Sequence, residues 1–392
     1  MVAMAATPVH KRATVRHRQG SVCAAGAAAL LAAGPSGALE WSYAPEASVG
    51  ALHDTNMLFK FDGAEPINGR IVGGLADVVG RNEGFEFRAT PRVDAQRYDD
   101  PSVQDRNDEY ADLSVAIHDA RQRWSFGGSY ALEGTRSSEF ESNGFAAVDF
   151  DRKQTGLNTS WTRLVDRGQF DISAATTSVD YQDSPFSPYR DYRYDVLLGD
   201  YSRATSERSR WGFSLARSEV RTERGLVTTT STDARATWTH AFSGSLQAHV
   251  GLGVLESTTD GVFFSTSNSA PALDFNVTQG WPRWRLTAFG GRQLTPDGQG
   301  SLLREDRLQI DAVRRVTENL KLILSVAKTR DAYLASFYDR DFWQDAVTVQ
   351  WRVKRRWFVE GSVTDRGQQW VTLGLPAQTG VVSRFSISYR GG

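Results

Sequence analysis

Apolar and polar residues alternate with a period of two along most of this chain. In one stretch Phe85, Phe87 and Ala89 alternate with Glu86 and Arg88, and residues 112–118, 246–254 and 347–353 follow the same pattern. Because successive side chains of a strand point to opposite faces, each stretch predicts a strand with one apolar and one polar face. The stretches run about ten to fifteen residues, longer than usual globular strands and sufficient for a tilted membrane strand.

The connections between these stretches alternate between short turns and longer polar loops. Short turns are predicted near residues 119–121, 165–168, 205–208, 243–245, 280–282, 317–319 and 354–355. Longer loops are predicted at 136–147, 181–190, 259–269, 294–301, 331–340 and 367–378. Bacterial outer-membrane barrels have short periplasmic turns and longer outer loops, so the pattern indicates that architecture.

The alternation predicts one all-β domain, an antiparallel transmembrane barrel of about eighteen strands. The strands begin near residues 46, 69, 84, 107, 122, 148, 168, 191, 209, 228, 246, 270, 283, 302, 320, 341, 356 and 379. Segment 69–80 is the least regular because its glycines weaken a strand, and sixteen strands remain if two stretches fail to form. An even number places both termini in the periplasm.

Tryptophan provides a second, partly independent signal. Besides Trp281, which lies within a predicted turn, seven tryptophans lie close to predicted short turns, most of them with the apolar parity of their strand: Trp124, Trp161, Trp211, Trp238, Trp284, Trp351 and Trp357. Indole settles at the membrane–water interface, so these residues predict an aromatic girdle on the periplasmic side. A soluble β-sandwich or propeller would instead place tryptophan in its core, at no fixed distance from turns.

The N-terminus has the order of a secretory signal. A basic segment from Lys11 to Arg18 precedes an apolar run at 24–33, and Pro35-Ser36-Gly37-Ala38 supplies small residues for cleavage after Ala38. The run is too short for a spanning helix. We therefore expect residues 1–38 to be a cleaved signal peptide and residues 39–392 to form the barrel; the alternative is a disordered alanine-rich leader.

Loss of the leader changes the charge and the thiol content. The full chain has a net charge of −1, and removing a leader with four basic and no acidic residues brings it to −5. The only cysteine, Cys23, leaves with the leader. The mature chain therefore has no cysteine chemistry, and no cofactor is expected. Basic residues are not in excess, which argues against a nucleic-acid partner.

Short motifs resemble those of the β-barrel porins often encoded beside exopolysaccharide genes. The matching stretch runs from Val49 to Phe59 and contains Asp54-Thr55-Asn56, with further similarity at Thr90–Val93 and Glu139–Glu141. The resemblance implies an outer-membrane barrel serving a surface-polysaccharide system and carries over no catalytic residue. Asp and Asn also suit turns, so Asp54-Thr55-Asn56 is interpreted first as a strand end. The last strand, Ser383–Tyr389, resembles the C-terminal signal read by the barrel-assembly machinery.

The polar parity of the strands predicts the residues that line the lumen. They are Glu86, Arg88, Arg92, Asp94, Arg235, His249, Asp311, Arg315 and Arg352. A barrel of this size leaves an aqueous channel, and arginines opposite carboxylates sort solutes by charge. For any one residue, a solvated wall position is the simpler interpretation. Asp99, Asp100, Asp105 and Asp108 form an acidic loop segment that suits a divalent cation, although such segments are usually only solvated.

Three classes of function follow, all at the cell outer membrane. The first is a porin-like passive channel for hydrophilic solutes, including export of surface polysaccharide. The second is a plugged structural barrel that serves as a scaffold. The third is an outer-membrane hydrolase, disfavoured because no Gly-x-Ser-x-Gly elbow is present, so we expect no enzyme and no catalytic residue. Expected partners are membrane lipid, lipopolysaccharide, the assembly machinery and polysaccharide or export-system proteins.

Overall fold

Eighteen β-strands make up the fold. The structure, a computed structural model, describes residues 39–138, 149–182, 189–262, 264–333 and 339–391. The strands are β1 (Glu40–Asp54), β2 (Ile67–Arg81), β3 (Phe85–Tyr98), β4 (Arg106–His118), β5 (Gln122–Gly134), β6 (Asp151–Val165), β7 (Gly168–Tyr181), β8 (Tyr192–Ala204), β9 (Ser209–Thr222), β10 (Val227–Ala241), β11 (Leu246–Gly261), β12 (Phe264–Gly280), β13 (Trp284–Pro296), β14 (Leu302–Arg315), β15 (Leu320–Tyr333), β16 (Asp339–Lys354), β17 (Trp357–Trp370) and β18 (Gln378–Arg390). One helical turn, α1 (Thr135–Ser138), follows β5.

The strands form one closed antiparallel barrel. Each strand pairs with its neighbours in the chain, and β1 also pairs with β18, from Glu46 opposite Arg390 to Asp54 opposite Val382. Closure removes the edges of the sheet except where β12 and β13 separate near the loop end, and a sheet without edges is the condition for crossing hydrocarbon. The prediction of eighteen strands is confirmed, including the glycine-containing strand β2. The predicted signal peptide, residues 1–38, lies outside the described residues.

Two strand boundaries were predicted wrongly. β1 begins at Glu40 rather than near 46, and β12 begins at Phe264 rather than near 270. The predicted loop at 259–269 is therefore wrong, because β11 and β12 continue as a paired hairpin to Gly261 and Phe264. This segment is rich in serine and threonine on both faces, so the apolar alternation that marks other strands is missing there, although β-branched threonine still favours extended backbone.

The wall separates at one place near the loop end of the barrel. β12 pairs with β13 only from Asp274 opposite Gly291 to Gly280 opposite Arg285. Beyond that row β12 continues with β11, whereas β13 continues with β14 up to Pro296 opposite Leu302. β14 stays paired with β15 up to Leu303 opposite Tyr333, so the β13–β14 hairpin bends away from β12 while it remains attached to the rest of the wall through β15.

No helix in the described part of the chain is long and apolar enough to cross a membrane.

Gly50 lies at the seam that closes the barrel, and we expect Gly50→Val to impair closure. A Cβ atom at residue 50 would stand 2.7 Å from the backbone oxygen of Phe385, which is too close, and overpacking of this kind costs roughly 1–3 kcal/mol. Gly361→Val is the matched control, because a Cβ atom there meets nothing within 4 Å. Heat-modifiable gel mobility after refolding measures the folded fraction, and equal fractions for both variants would contradict the prediction.

Candidate functional site: the polar face of the barrel wall

The pairing register divides the side chains of the barrel wall into two faces that continue from strand to strand around the ring. Residues opposite each other across a ladder share a face, so the partners can be followed from strand to strand. One face carries large exposed apolar side chains such as Val93, Leu252 and Val347, and we call it the apolar face. The other is the polar face, and all nine residues predicted to line the lumen belong to it: Glu86, Arg88, Arg92, Asp94, Arg235, His249, Asp311, Arg315 and Arg352.

The seven tryptophans predicted to form a girdle all belong to the apolar face, close to short turns. Two pairs meet across ladders: Trp124 with Trp161, ring centroids 5.8 Å apart, and Trp211 with Trp238, 6.2 Å apart. Their place at a membrane interface stays a prediction.

The β13–β14 hairpin shows which face is the inner one. Its end packs against β7, β8 and β9, which lie on the far side of β10, β11 and β12. Leu302 is fully buried in a cluster with Val179, Tyr192 and Val220, all three on the polar face of their strands. In a closed wall the direct route between such distant strands runs through the interior. The polar face is therefore the inner face, and the hairpin folds inward.

The turn at the tip of this hairpin is held by hydrogen bonds within the turn and to the chain beside it. The Asp297 carboxylate accepts the backbone N–H groups of Gln299 at 3.1 Å and Ser301 at 2.8 Å. Gly300 has a φ of 78°, in the left-handed region that glycine adopts readily. The backbone N–H of Arg190 donates to the carbonyl of Gly298 at 2.9 Å, which ties the tip to the chain entering β8.

A second inward segment is the connection 55–66 between β1 and β2. Phe59, with a φ of 48°, is buried with Phe342 of β16, and the Arg366 guanidinium lies 4.9 Å from the Phe59 ring centre. Asp54 ends β1, as predicted for the Asp54-Thr55-Asn56 motif. Its carboxylate accepts the Asn56 backbone N–H at 3.0 Å and pairs with Arg366 at 2.5 Å. The motif therefore fixes the first loop to the inner wall.

Several inner charges lie in tight ion pairs. Arg88 binds Asp77 through two hydrogen bonds of 2.7 and 2.8 Å, and Arg92 lies 2.5 Å from Asp94. Bidentate pairing fixes the geometry as well as the charge. The opposite charges of each pair cancel most of each other's field. The two arginine side chains are 54% and 55% exposed, whereas the side chains of Asp77 and Asp94 are 27% and 13% exposed.

Arg235 is the centre of a network that spans three strands. Its guanidinium contacts Asp233 at 2.5 Å and Asp274 of β12 at 2.6 Å. His249 of β11 adds a 3.0 Å contact from Nε2 to Asp274. Strand β11, between β10 and β12, leaves room for the Asp274 carboxylate because residue 251 is glycine. A Cβ atom there would collide with that carboxylate. The sequence predicted Arg235 and His249 as inner residues but not this convergence.

Two buried arginines near the loop end, each paired with carboxylate, were missed by sequence reasoning. Arg340 and Asp331 are both fully buried, with Nη2 and Oδ2 2.5 Å apart. Arg106 is also buried and lies 3.2 Å from both Asp108 and Asp149. These residues occupy the polar positions of the alternating pattern, like many exposed residues. Their burial depends on the folded loops, which the pattern does not predict.

Six cations at the short-turn end contrast with these pairs, and we call them the basic collar. They belong to the polar face and lie within a few residues of a short turn: Arg123, Arg210, Arg285, Arg315, Lys321 and Arg352. Within the described residues none of the six has a carboxylate at ion-pair distance; Arg210 donates to Ser202, and Arg352 to Asn319. The collar cations therefore lie outside ion-pair distance of the described carboxylates, although Glu318 and Glu360 line the same cavity as Lys321 and Arg352.

Between the collar and the hairpin, β4 to β7 present a wall of small polar side chains. A recess of about 500 Å³ is lined mostly by serine, threonine, asparagine, glycine and alanine residues, with Leu113, Phe126 and Leu157 among them and Arg88 and Asp112 as its charged residues. Glycine at 127 and 156 keeps the recess open, because a Cβ atom at either position would collide with a neighbouring side chain. Hydroxyl and amide groups both donate and accept hydrogen bonds, so this wall suits hydrated, hydroxylated solutes.

The four aspartates of the acidic segment, predicted to suit a divalent cation, do not converge on a common site. Asp99 accepts two N–H groups of Asn68, at 2.7 Å from the side chain and 2.9 Å from the backbone, and these hold its pKa below the usual value. The Ser102 backbone N–H likewise lowers the pKa of Asp100. Asp105 accepts the Tyr98 N–H, and Asp108 pairs with buried Arg106. Among the described residues no three such groups are arranged to hold a metal.

The fold matches solved structures of outer-membrane porins. Pseudomonas aeruginosa OccK2 (OpdF) aligns with a TM-score of 0.53 and 11% identity, over 90% of this chain and 97% of that one. Its complex with glucuronate gives a TM-score of 0.54 at 11% identity, over 90% and 98%. Acinetobacter baumannii OccAB4 gives 0.52 at 10% identity, over 91% of this chain and all of that one. A BenF-like porin from Pseudomonas fluorescens gives 0.51 at 8%, over 90% and 98%.

These likenesses establish the fold, a closed antiparallel barrel of the kind found in solved outer-membrane porins. No family model matches the sequence, and no curated protein is similar to it in sequence.

Leu302 holds the inward hairpin against β9, so we expect Leu302→Ala to release it. Removing a fully buried leucine side chain costs roughly 2–5 kcal/mol, which is enough to raise local opening at least about tenfold. Leu308→Ala is the matched control, since Leu308 lies on the same strand and is 47% exposed on the apolar face. Hydrogen–deuterium exchange at residues 297–303 measures the release. Unchanged exchange in Leu302→Ala would show that the hairpin is held by other contacts.

Proposed function

We propose that this chain is a passive outer-membrane channel for hydrophilic solutes. The observation that carries the proposal is the inner face, which is largely polar apart from apolar residues on β2 and β8 such as Leu75, Val196 and Leu198, whereas the outer face carries the large exposed apolar side chains. An eighteen-stranded wall is wide enough to enclose an aqueous channel. The inward hairpin and first loop would narrow this channel toward the loop end and leave the short-turn end wider.

The basic collar would give the channel a preference for anions at its short-turn end. Several inner arginines deeper in the wall, such as Arg92 and Arg235, are paired with carboxylates, so they contribute little net charge to a passing ion. The collar cations lack such partners and raise the local concentration of anions in a low-dielectric mouth. We do not expect complete exclusion of cations, because inner carboxylates lie further along the strands from the short turns. Asp171, Asp311 and Glu360 are hydrogen-bonded by neutral side chains rather than paired with arginine.

A hydrolase is less well supported, although two histidines contact hydroxyl groups. His249 lies between Thr239 at 2.9 Å and Asp274 at 3.0 Å, the order of a nucleophile, base and acid. Acyl transfer also needs N–H donors that converge on the developing oxyanion. Backbone N–H groups of neighbouring strand residues are engaged in the ladders, and Asp274 is already paired with Arg235. We interpret this trio as part of the Arg235 network.

Export of surface polysaccharide stays a prediction of the sequence resemblance alone. The recess of small hydroxylated side chains on β4 to β7 is compatible with a carbohydrate, as with any hydroxylated solute. A plugged scaffold barrel is the alternative in which the two inward segments close the lumen.

We expect the purified barrel to form stable conductance steps in planar bilayers with a preference for chloride over potassium. Neutralising three collar residues together, Arg285→Gln, Arg315→Gln and Arg352→Gln, should shift the reversal potential in a salt gradient toward cation selectivity. Each substitution removes an unscreened charge from the inner mouth. Glucuronate, the compound bound in the OccK2 structure, serves as an anionic sugar probe for current block.

The control is a triple variant with the same charge change on the outer face at the same end: Arg163→Gln, Arg203→Gln and Arg314→Gln. Equal shifts in both triple variants would mean that overall charge, rather than the inner collar, sets selectivity. A folded barrel that never conducts would favour the plugged scaffold.

A further inference from the structure

The apolar face contains an open groove of about 940 Å³ across β16, β17, β18, β1 and β2. Its floor is apolar, with Val347, Val349, Val363 and Phe385 between 41% and 51% exposed. Small residues deepen it: Ala51 lies opposite Phe385, and Gly361 has nothing within 4 Å of its absent Cβ atom. A groove of this length with an apolar floor fits hydrocarbon chains.

Two arginines lie side by side at one end of the groove. Arg70 and Arg97 are direct cross-strand partners on the apolar face, and the row continues through Ala51, Phe385 and Gly361 to the groove floor. Like charges directly opposite each other destabilise a sheet unless something compensates them. A bound anion between the two side chains would supply that compensation.

The bonding of these arginines differs. Arg97 donates to the carbonyl of Arg106 at 2.7 Å and to the side chain of Asn107 at 2.9 Å, and Asp105 lies 3.6 Å from it. Arg70 has neither a hydrogen bond nor an ion pair among the described residues, and it is exposed. The nearest rim carboxylate, Asp99, is occupied by both N–H groups of Asn68. Arg70 therefore presents an uncommitted guanidinium above an apolar groove.

The position along the strand selects the kind of lipid. Outward side chains become charged at this level around the barrel, as at Lys328 and Asp345, so the arginines stand where the apolar band ends. The groove end with Arg70 is the long-loop end, away from the tryptophans. In the orientation of our proposed function, with short turns toward the periplasm, this end lies in the outer leaflet.

We propose that this groove binds one molecule of lipid A, with a phosphate on Arg70 and acyl chains over Gly361 and Ala51. A guanidinium and a phosphate form charge-assisted hydrogen bonds, often bidentate, and Arg97 adds positive charge beside them. The inference rests on the proposed orientation in the outer membrane but not on conduction through the lumen.

The test is native mass spectrometry of the full folded barrel in detergent, titrated with lipid A, dephosphorylated lipid A and phosphatidylglycerol. Lipid A should bind wild type tightest. Arg70→Ala should weaken lipid A binding at least about tenfold, and Arg70→Lys should retain part of it, since loss of a charge-assisted phosphate contact has that size. Lys328→Ala is the matched control, because Lys328 stands at the same border but is paired with Asp341 at 3.4 Å.

Gly361→Leu tests the acyl-chain part separately. The new side chain should fill the groove and weaken binding, whereas Gly199→Leu should not, since Gly199 is an equally open glycine on the apolar face of β8. Heat-modifiable mobility verifies that each variant is folded. Wild-type affinity in Arg70→Ala or Gly361→Leu, or equal binding of phosphatidylglycerol, would overturn the proposal. Conductance measured on the same samples distinguishes failure of this site from failure of the channel.

Discussion

The structure depends on one constraint, that every backbone N–H and C=O group of a wall in hydrocarbon must find a partner within the protein. A sheet meets this condition only by closing, and the β1–β18 ladder supplies the closure. Closure in turn fixes the side-chain parity around the whole ring, because a one-residue slip on any ladder would exchange the two faces. The inner polar face and the outer apolar face are therefore consequences of the same hydrogen-bond ladder.

The same constraint explains how much of the fold could be predicted from the sequence. Parity is a local property, so the strand number, the shared face of Arg88, Arg235 and Arg352, and most strand starts follow from alternation alone. It fails where lipid no longer imposes two different environments. The β11–β12 hairpin extends beyond the apolar band, and threonine and serine occupy both of its faces, so a strand there looks like a polar loop.

Contacts inside the cylinder could not be predicted in this way. The docking of Leu302 on Val220 and of Phe59 on Phe342 joins residues far apart in sequence, and nothing in a period-two pattern encodes which loop folds inward. The burial of Arg340 with Asp331 depends on those loops as well. One indirect signal was available, since glycine at 300 and the Asp-x-Asn spacing at 54–56 suit tight turns rather than long solvated loops.

The role of each arginine depends on the face of the wall on which it lies and on its distance from the two ends of the barrel. Arg88 and Arg235 face inward and are neutralised by carboxylates on neighbouring positions, so they stiffen the wall more than they attract ions. Arg315 faces inward at the short-turn end, where no carboxylate in the described part of the chain lies within ion-pair distance, so its charge is not neutralised by a bound partner. Arg70 faces outward at the opposite border, where our proposed orientation places the lipid headgroups. Because these cations share one chemistry, their different roles must come from the ladder that positions them, which is why the register of the closed sheet determines function as well as fold.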